Sequence, residues 1–159
     1  QIFRILYNLY IIWIPKNFKG VFIMIQVFCG KRGTGKSKNL IAMANECVNK
    51  IDGNVVYIDD DKRPMLELDR RIRFVSTDEF NLTNCNNIYG FLCGMLSEDY
   101  DIEAIFIDGL FNIVSGNVSD AAHLFLELEK LSEKFDLNIY ININHEYDEV
   151  PEFIKKYAA

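Results

Sequence analysis

The sequence predicts an α/β domain of three layers, with a mostly parallel sheet covered by helices on both faces. Three observations predict it. Short, continuous apolar runs alternate with segments whose apolar residues recur every three or four positions, the periods of buried strands and amphipathic helices. Strands separated by helices are joined by right-handed crossovers, which sets them parallel. A glycine-rich turn stands between the first such strand and the first such helix.

Composition suits one globular domain, with 50% of the 159 residues hydrophobic and 25% charged. A disordered, collagen-like or disulfide-scaffold chain is excluded. Seventeen basic residues against 23 acidic ones give a net charge of −6. That argues against a general nucleic-acid coat or a polybasic membrane binder, both of which need a positive surface. Cys29, Cys47, Cys85 and Cys93 form no C-x-x-C pair and no metal-ligand spacing. They are expected to be free thiols in a reducing, cytoplasmic setting.

Residues 1–23 differ from the rest. They hold Arg4, Lys16 and Lys19 but no acid, and the apolar run Ile5–Ile14 is too short to span a membrane. Lys19-Gly20-Val21 can be encoded with the purine-rich ribosome-binding sequence AAGGAG, and Phe22-Ile23 supplies a spacer before Met24. Residues 1–23 are therefore expected to be an upstream leader or non-native extension, with a membrane-touching extension as the rival. The domain is then 24–159, a chain of 136 residues with a charge of about −9.

From Met24 onward each element has its own signal. Ile25–Cys29 is a short apolar run, the first strand. Leu40, Met43, Ala44, Cys47 and Val48 mark a helix from Ser37 to about Asn49, closed by Gly53. Val55–Ile58 is a second strand that ends in Asp59-Asp60-Asp61, and Ile72–Val75 a third. Ile88, Phe91, Leu92, Met95 and Leu96 mark the next helix, in which Gly90 and Gly94 are expected to permit close packing. Ile102–Ile107 is a strand with Asp108-Gly109 at its end. Ser119-Asp120 suits a helix start, followed by the stripe Ala121, Leu124, Phe125, Leu128, Leu131 and Phe135. His123 lies beside that stripe and is expected to be structural. Asn138–Ile143 is the last strand, and Pro151–Tyr157 a short terminal helix.

Gly30-Lys31-Arg32-Gly33-Thr34-Gly35-Lys36-Ser37 matches G-x-x-x-x-G-K-[ST] at every specified position, directly after a strand and opening a helix. The glycines let backbone N–H groups converge where a side chain would block a phosphate. The helix that follows adds the positive end of its dipole. Lys36 is expected to reach the terminal phosphates, and the Ser37 hydroxyl to ligate Mg²⁺. Arg32 either touches phosphate or points to solvent. A second Mg²⁺ ligand is expected at the end of another buried strand, and Ala104–Ile107 followed by Asp108 supplies it, the Walker B pattern.

With both motifs placed, residues from about Ile25 to Glu146 resemble a minimal RecA-like P-loop NTPase core. The chain after Met24 is also similar to short bacterial P-loop ATP-binding proteins. The resemblance implies ATP and Mg²⁺ as ligands. It also implies a last strand lying between the phosphate-loop strand and the Asp108 strand, with a polar residue at its end that senses the γ-phosphate. Asn144 fits that place best and His145 second. Many relatives carry a glutamate directly after the Walker B acid, where this chain has Gly109. RecA-like relatives carry a base at the end of the second strand, where Asp61 and then Asp60 match; the alternative is that these aspartates are solvated or cap a turn. Arg70, Arg71 and Arg73 form either an arginine finger towards a neighbouring subunit or a solvated face.

The leading expectation is Mg²⁺-dependent ATP binding with slow hydrolysis of the γ-phosphate, stimulated by a protein partner or by self-assembly. A nucleotide-responsive binding module with negligible turnover is the alternative. A small-molecule kinase ranks third, because Glu127–Glu133 carries Lys130 but no lid arginine. Nucleic acid and membrane are not expected partners.

Overall fold

The computed structural model describes residues 24–159, so the expectations for residues 1–23 lie outside the described residues. Five strands form one all-parallel sheet: β1 (Ile25–Cys29), β2 (Asn54–Asp59), β3 (Arg73–Ser76), β4 (Ile102–Ile107) and β5 (Asn138–Ile143). Their spatial order is β1-β5-β4-β2-β3. The last strand thus lies between β1 and β4, where the resemblance placed it. The helices are α1 (Lys36–Cys47), α2 (Cys85–Glu98), the four-residue α3 (Leu110–Ile113), α4 (Ala122–Phe135) and α5 (Glu152–Lys155).

Alternation along each strand divides the core into two layers. Val56 and Ile58, Ile105 and Ile107, and Ile139, Ile141 and Ile143 face α2 and α4. Val55 and Tyr57, Ala104 and Phe106, and Tyr140 face α1, through Leu40, Ile41, Ala44 and Cys47. Helices therefore cover both faces, as parallel strands buried on both sides require. The α1 face carries a row of rings in register across four strands: Phe74, Tyr57, Phe106 and Tyr140. Tyr57 stacks on Phe106 at 6.2 Å, and Phe106 on Tyr140 at 4.6 Å between centroids. Each fully buried ring adds about 1.5–3 kcal/mol of hydrophobic stabilisation.

Several elements differ from the sequence reading for local reasons. The first helix ends at Cys47 rather than near Asn49, and Gly53 does not close it. Gly53 instead packs against the start of β4, where a Cβ would lie 2.4 Å from the Asp101 carbonyl oxygen. Gly90 and Gly94 are exposed, and a Cβ at either would meet nothing, so they serve no close packing. A 3₁₀ turn (Val118–Ala121) precedes α4, and Asp120 accepts from the Asn117 N–H at 3.0 Å instead of opening the α-helix. After α5 the chain runs beside β1, with an isolated parallel bridge between Val27 and Ala158. That bridge pairs the Val27 N–H and C=O groups on the β1 edge of the sheet with the Tyr157 carbonyl and the Ala159 N–H. No helix among the described residues is long and apolar enough to cross a membrane, and the four cysteines are free.

Candidate functional site

The carboxyl ends of β1, β5, β4 and β2 open into a cleft of about 730 Å³. Strand periodicity decides what stands there. Two residues beyond the ring row, on the same α1 face, the sheet presents Asn142 from β5, Asp108 after β4, and Asp59 and Ser76 from β2 and β3. A polar row thus tops an aromatic one, and α1 begins directly against it.

Asp108 is the centre of this row and is only 5% exposed. Its Oδ1 accepts from Ser37 Oγ at 3.1 Å and from Asn142 Nδ2 at 3.1 Å. Its Oδ2 accepts from Tyr57 Oη at 2.8 Å. Burial, reinforced by the Asp108 charge, pushes the Tyr57 phenol far up, so it stays a donor. All three partners are neutral, and among the described residues Asp108 has no direct ion pair. A buried carboxylate held this way fits a cation ligand. No group of three or more His, Cys, Asp or Glu side chains among the described residues has the arrangement of a metal cage. Mg²⁺, however, is commonly held by one or two protein oxygens, waters and substrate phosphates. Ser37 and Asp108, 71 residues apart in sequence, are brought within hydrogen-bond distance and are the oxygens that could serve such a site.

The glycine-rich loop joins β1 to α1. Gly33 and Gly35 both have φ of 82°, the left-handed region open to glycine, and Gly35 caps α1. The Gly30 N–H donates to the His145 carbonyl at 2.7 Å, which ties the loop to the end of β5. Lys36 Nζ donates to the Lys31 carbonyl at 2.6 Å, and Thr34 Oγ1 to the same oxygen at 2.8 Å. Burial lowers the Lys36 pKa, opposed by the negative field of Asp108. Arg32, Gly33, Gly35, Lys36 and Ser37 line the cleft. Lys31 instead pairs with Glu146 at 3.5 Å.

At the end of β5 the two candidates separate. Asn144 lines the cleft and donates through Nδ2 to Asn112 Oδ1 at 3.2 Å. The His145 ring packs edge-on against Phe111 at 5.6 Å. Among the three consecutive aspartates, Asp61 is engaged by its neighbour: its carboxylate accepts from the Arg63 backbone N–H at 2.9 Å and from Arg63 Nε at 2.6 Å. Those bonds hold the Asp61 carboxyl below its ordinary range. Asp60 lines the cleft beside it. The sequence reading missed Asp59, the last residue of β2, which is 6% exposed. Burial pushes its carboxyl up to about 8, helped by Asp60 and Asp108 and opposed by the Asp61 N–H. The available signal was parity: Asp59 stands two residues after Tyr57, as Asp108 stands two after Phe106. Asn112 and Asn142 were also missed, since neither belongs to a motif.

The arginine cluster lies away from the cleft. Arg71 bonds Asp69 and Asn49, pinning the turn before β3 to the end of α1. Arg63, which the sequence reading did not single out, lines the cleft instead. His123 is exposed on α4 and faces Glu127 at 3.9 Å.

No protein-family model matches the chain, and a search of curated proteins finds none that matches it.

Proposed function

We propose that the chain is a P-loop NTPase domain that binds ATP with Mg²⁺ and hydrolyses the γ-phosphate slowly. One observation carries the reading. The hydroxyl of Ser37, the last residue of G-x-x-x-x-G-K-S, donates to the buried acid that ends another strand. The loop geometry, the Lys36 ammonium and the helix end at Lys36 supply what a triphosphate needs. Lys36 would neutralise the terminal phosphates, and Ser37 with Asp108 would hold the Mg²⁺, which neutralises phosphate charge. Tyr57 and Asn142 would fix the Asp108 carboxylate.

The carboxylates favour slow turnover. Asp61 is committed to Arg63, and Gly109 stands where many relatives place a glutamate. Asp60 remains to orient a water, since burial holds the Asp59 carboxyl protonated at neutral pH. The same observation supports the second reading, a nucleotide-responsive module with negligible turnover.

The test is ATP affinity by calorimetry, with and without Mg²⁺, for wild type and Lys36→Ala. Loss of the lysine should weaken binding at least about tenfold, or roughly 1.4 kcal/mol. Equal affinity in the two proteins would refute nucleotide binding at this loop. ATP turnover above that of Lys36→Ala separates the ATPase from the binding module.

A further inference from the structure

The side chain of Asn112, on the short helix that follows Asp108-Gly109, joins three parts of the cleft. Its Oδ1 accepts from Arg32 Nη2 of the glycine-rich loop and from Asn144 Nδ2 at the end of β5, each at 3.2 Å. Its Nδ2 donates to no protein acceptor among the described residues, and Asn112 lines the cleft together with Lys36, Ser37 and Asp108.

Gly109 explains why this amide can stand there. Its φ is +68°, and a Cβ at that position would lie 2.5 Å from Asn112 Nδ2. The left-handed backbone at 109 favours glycine, and without a side chain there the Asn112 carboxamide lies directly over it. Where the resemblance would place a glutamate, this chain has Gly109, and the polar side chain beside it is the Asn112 carboxamide. That difference changes the chemistry: an amide N–H donates to a phosphoryl oxygen, but an amide does not take a proton from water at neutral pH.

We propose that Asn112 senses the γ-phosphate, its Oδ1 holding Arg32 and Asn144 in the cleft while its Nδ2 donates to the terminal phosphoryl group. This rests on the reading of the cleft as a nucleotide site and assigns that site its discrimination between triphosphate and diphosphate.

Calorimetry of the full chain with Mg²⁺, using ADP and a non-hydrolysable ATP analogue, tests it. Asn112→Asp keeps an acceptor for Arg32 and Asn144 but loses the donor and adds a negative charge. Asn112→Ser shortens the group without adding charge. Wild type should prefer the triphosphate, and either variant should lose about tenfold of that preference, the effect of one hydrogen bond to a charged group. The thermal midpoint of Asn112→Asp should hold while its preference falls; a purely structural bridge, whose acceptor the aspartate retains, would leave the preference of that variant intact. A folded variant that keeps the full preference, or a wild type that binds both nucleotides equally, overturns the inference. Lys36→Ala separates the two levels. If its nucleotide affinity equals that of wild type, the nucleotide site itself fails. If binding needs Lys36 yet the Asn112 variants keep the preference, only the role of Asn112 fails.

Discussion

Asp59→Asn should stabilise the protein, and the gain should grow with pH. Asp59 is buried at the end of β2, beside the acids Asp60 and Asp108. Its ordinary value of 3.8 rises to about 8 in the folded chain. The folded state therefore holds a proton that the unfolded state has released between those two values. Stability is highest below the lower value, falls as pH climbs towards the upper one, and levels off above it. Taken whole, the shift corresponds to about 6 kcal/mol at roughly 1.4 kcal/mol per pH unit. Residual solvent access and protons shared among the neighbouring acids reduce this to the order of 2 kcal/mol between about pH 5 and about pH 8.5. Asparagine mimics the protonated acid and keeps an oxygen for the Asp61 N–H, which donates to Asp59 Oδ1 at 3.0 Å. Urea denaturation of both proteins at the two pH values, without Mg²⁺, measures the difference. A stability difference that stays constant with pH would refute the reasoning, and so would a variant less stable at the higher pH.

Four further substitutions address the site and the fold around it. Tyr57→Phe keeps the ring stack but removes the O–H bond of 2.8 Å to Asp108, and should cost about 1–3 kcal/mol in urea denaturation; unchanged stability would contradict the assigned bond. Gly53→Ala meets the Asp101 carbonyl and should destabilise by about 1–3 kcal/mol. Gly90→Ala and Gly94→Ala, in open space on a helix, should each stabilise by about 0.5–1 kcal/mol. Thermal melts that give all three alanines one sign would contradict the packing described for them.

What was legible in the sequence followed from period and punctuation. The strands Ile25–Cys29, Ile102–Ile107 and Asn138–Ile143 match the observed bounds, because apolar runs buried on both faces have sharp ends. The loop around Lys36, the acid Asp108 and the amide Asn144 were legible for the same reason, each ending or following such a run. Asp59 was obscured by its two neighbours. Three consecutive aspartates offer no local signal for which one turns inward, and the choice depends on which face Tyr57 occupies. Asn112 was not legible at all. It lies on a helix of four residues, too short for a period, and its partners are 80 and 32 residues away. Gly90 and Gly94 mislead in the opposite direction: small-residue spacing carries no information about whether a neighbour exists to fill the space.

The charges of the cleft connect the acidic composition to the proposed ligand. Asp59, Asp60, Asp61, Glu67 and Asp108 line it against Arg32, Lys36, Lys38 and Arg63. Asp61 and Arg63 pair with each other, which takes one charge of each sign out of play. What remains is segregated by sign: basic groups gather at the glycine-rich loop and acids at the ends of β2 and β4, where burial keeps Asp59 protonated at neutral pH. On the proposed reading, a bare triphosphate at the loop would face the Asp108 carboxylate that accepts from Ser37 Oγ at 3.1 Å, and the like charges would repel. A divalent cation held by Ser37 and Asp108 would offset that repulsion. On the proposed reading, then, Mg²⁺ is more than a cofactor for chemistry. Bound there, it would let the phosphates lie against the buried Asp108, which Tyr57 and Asn142 hold in place.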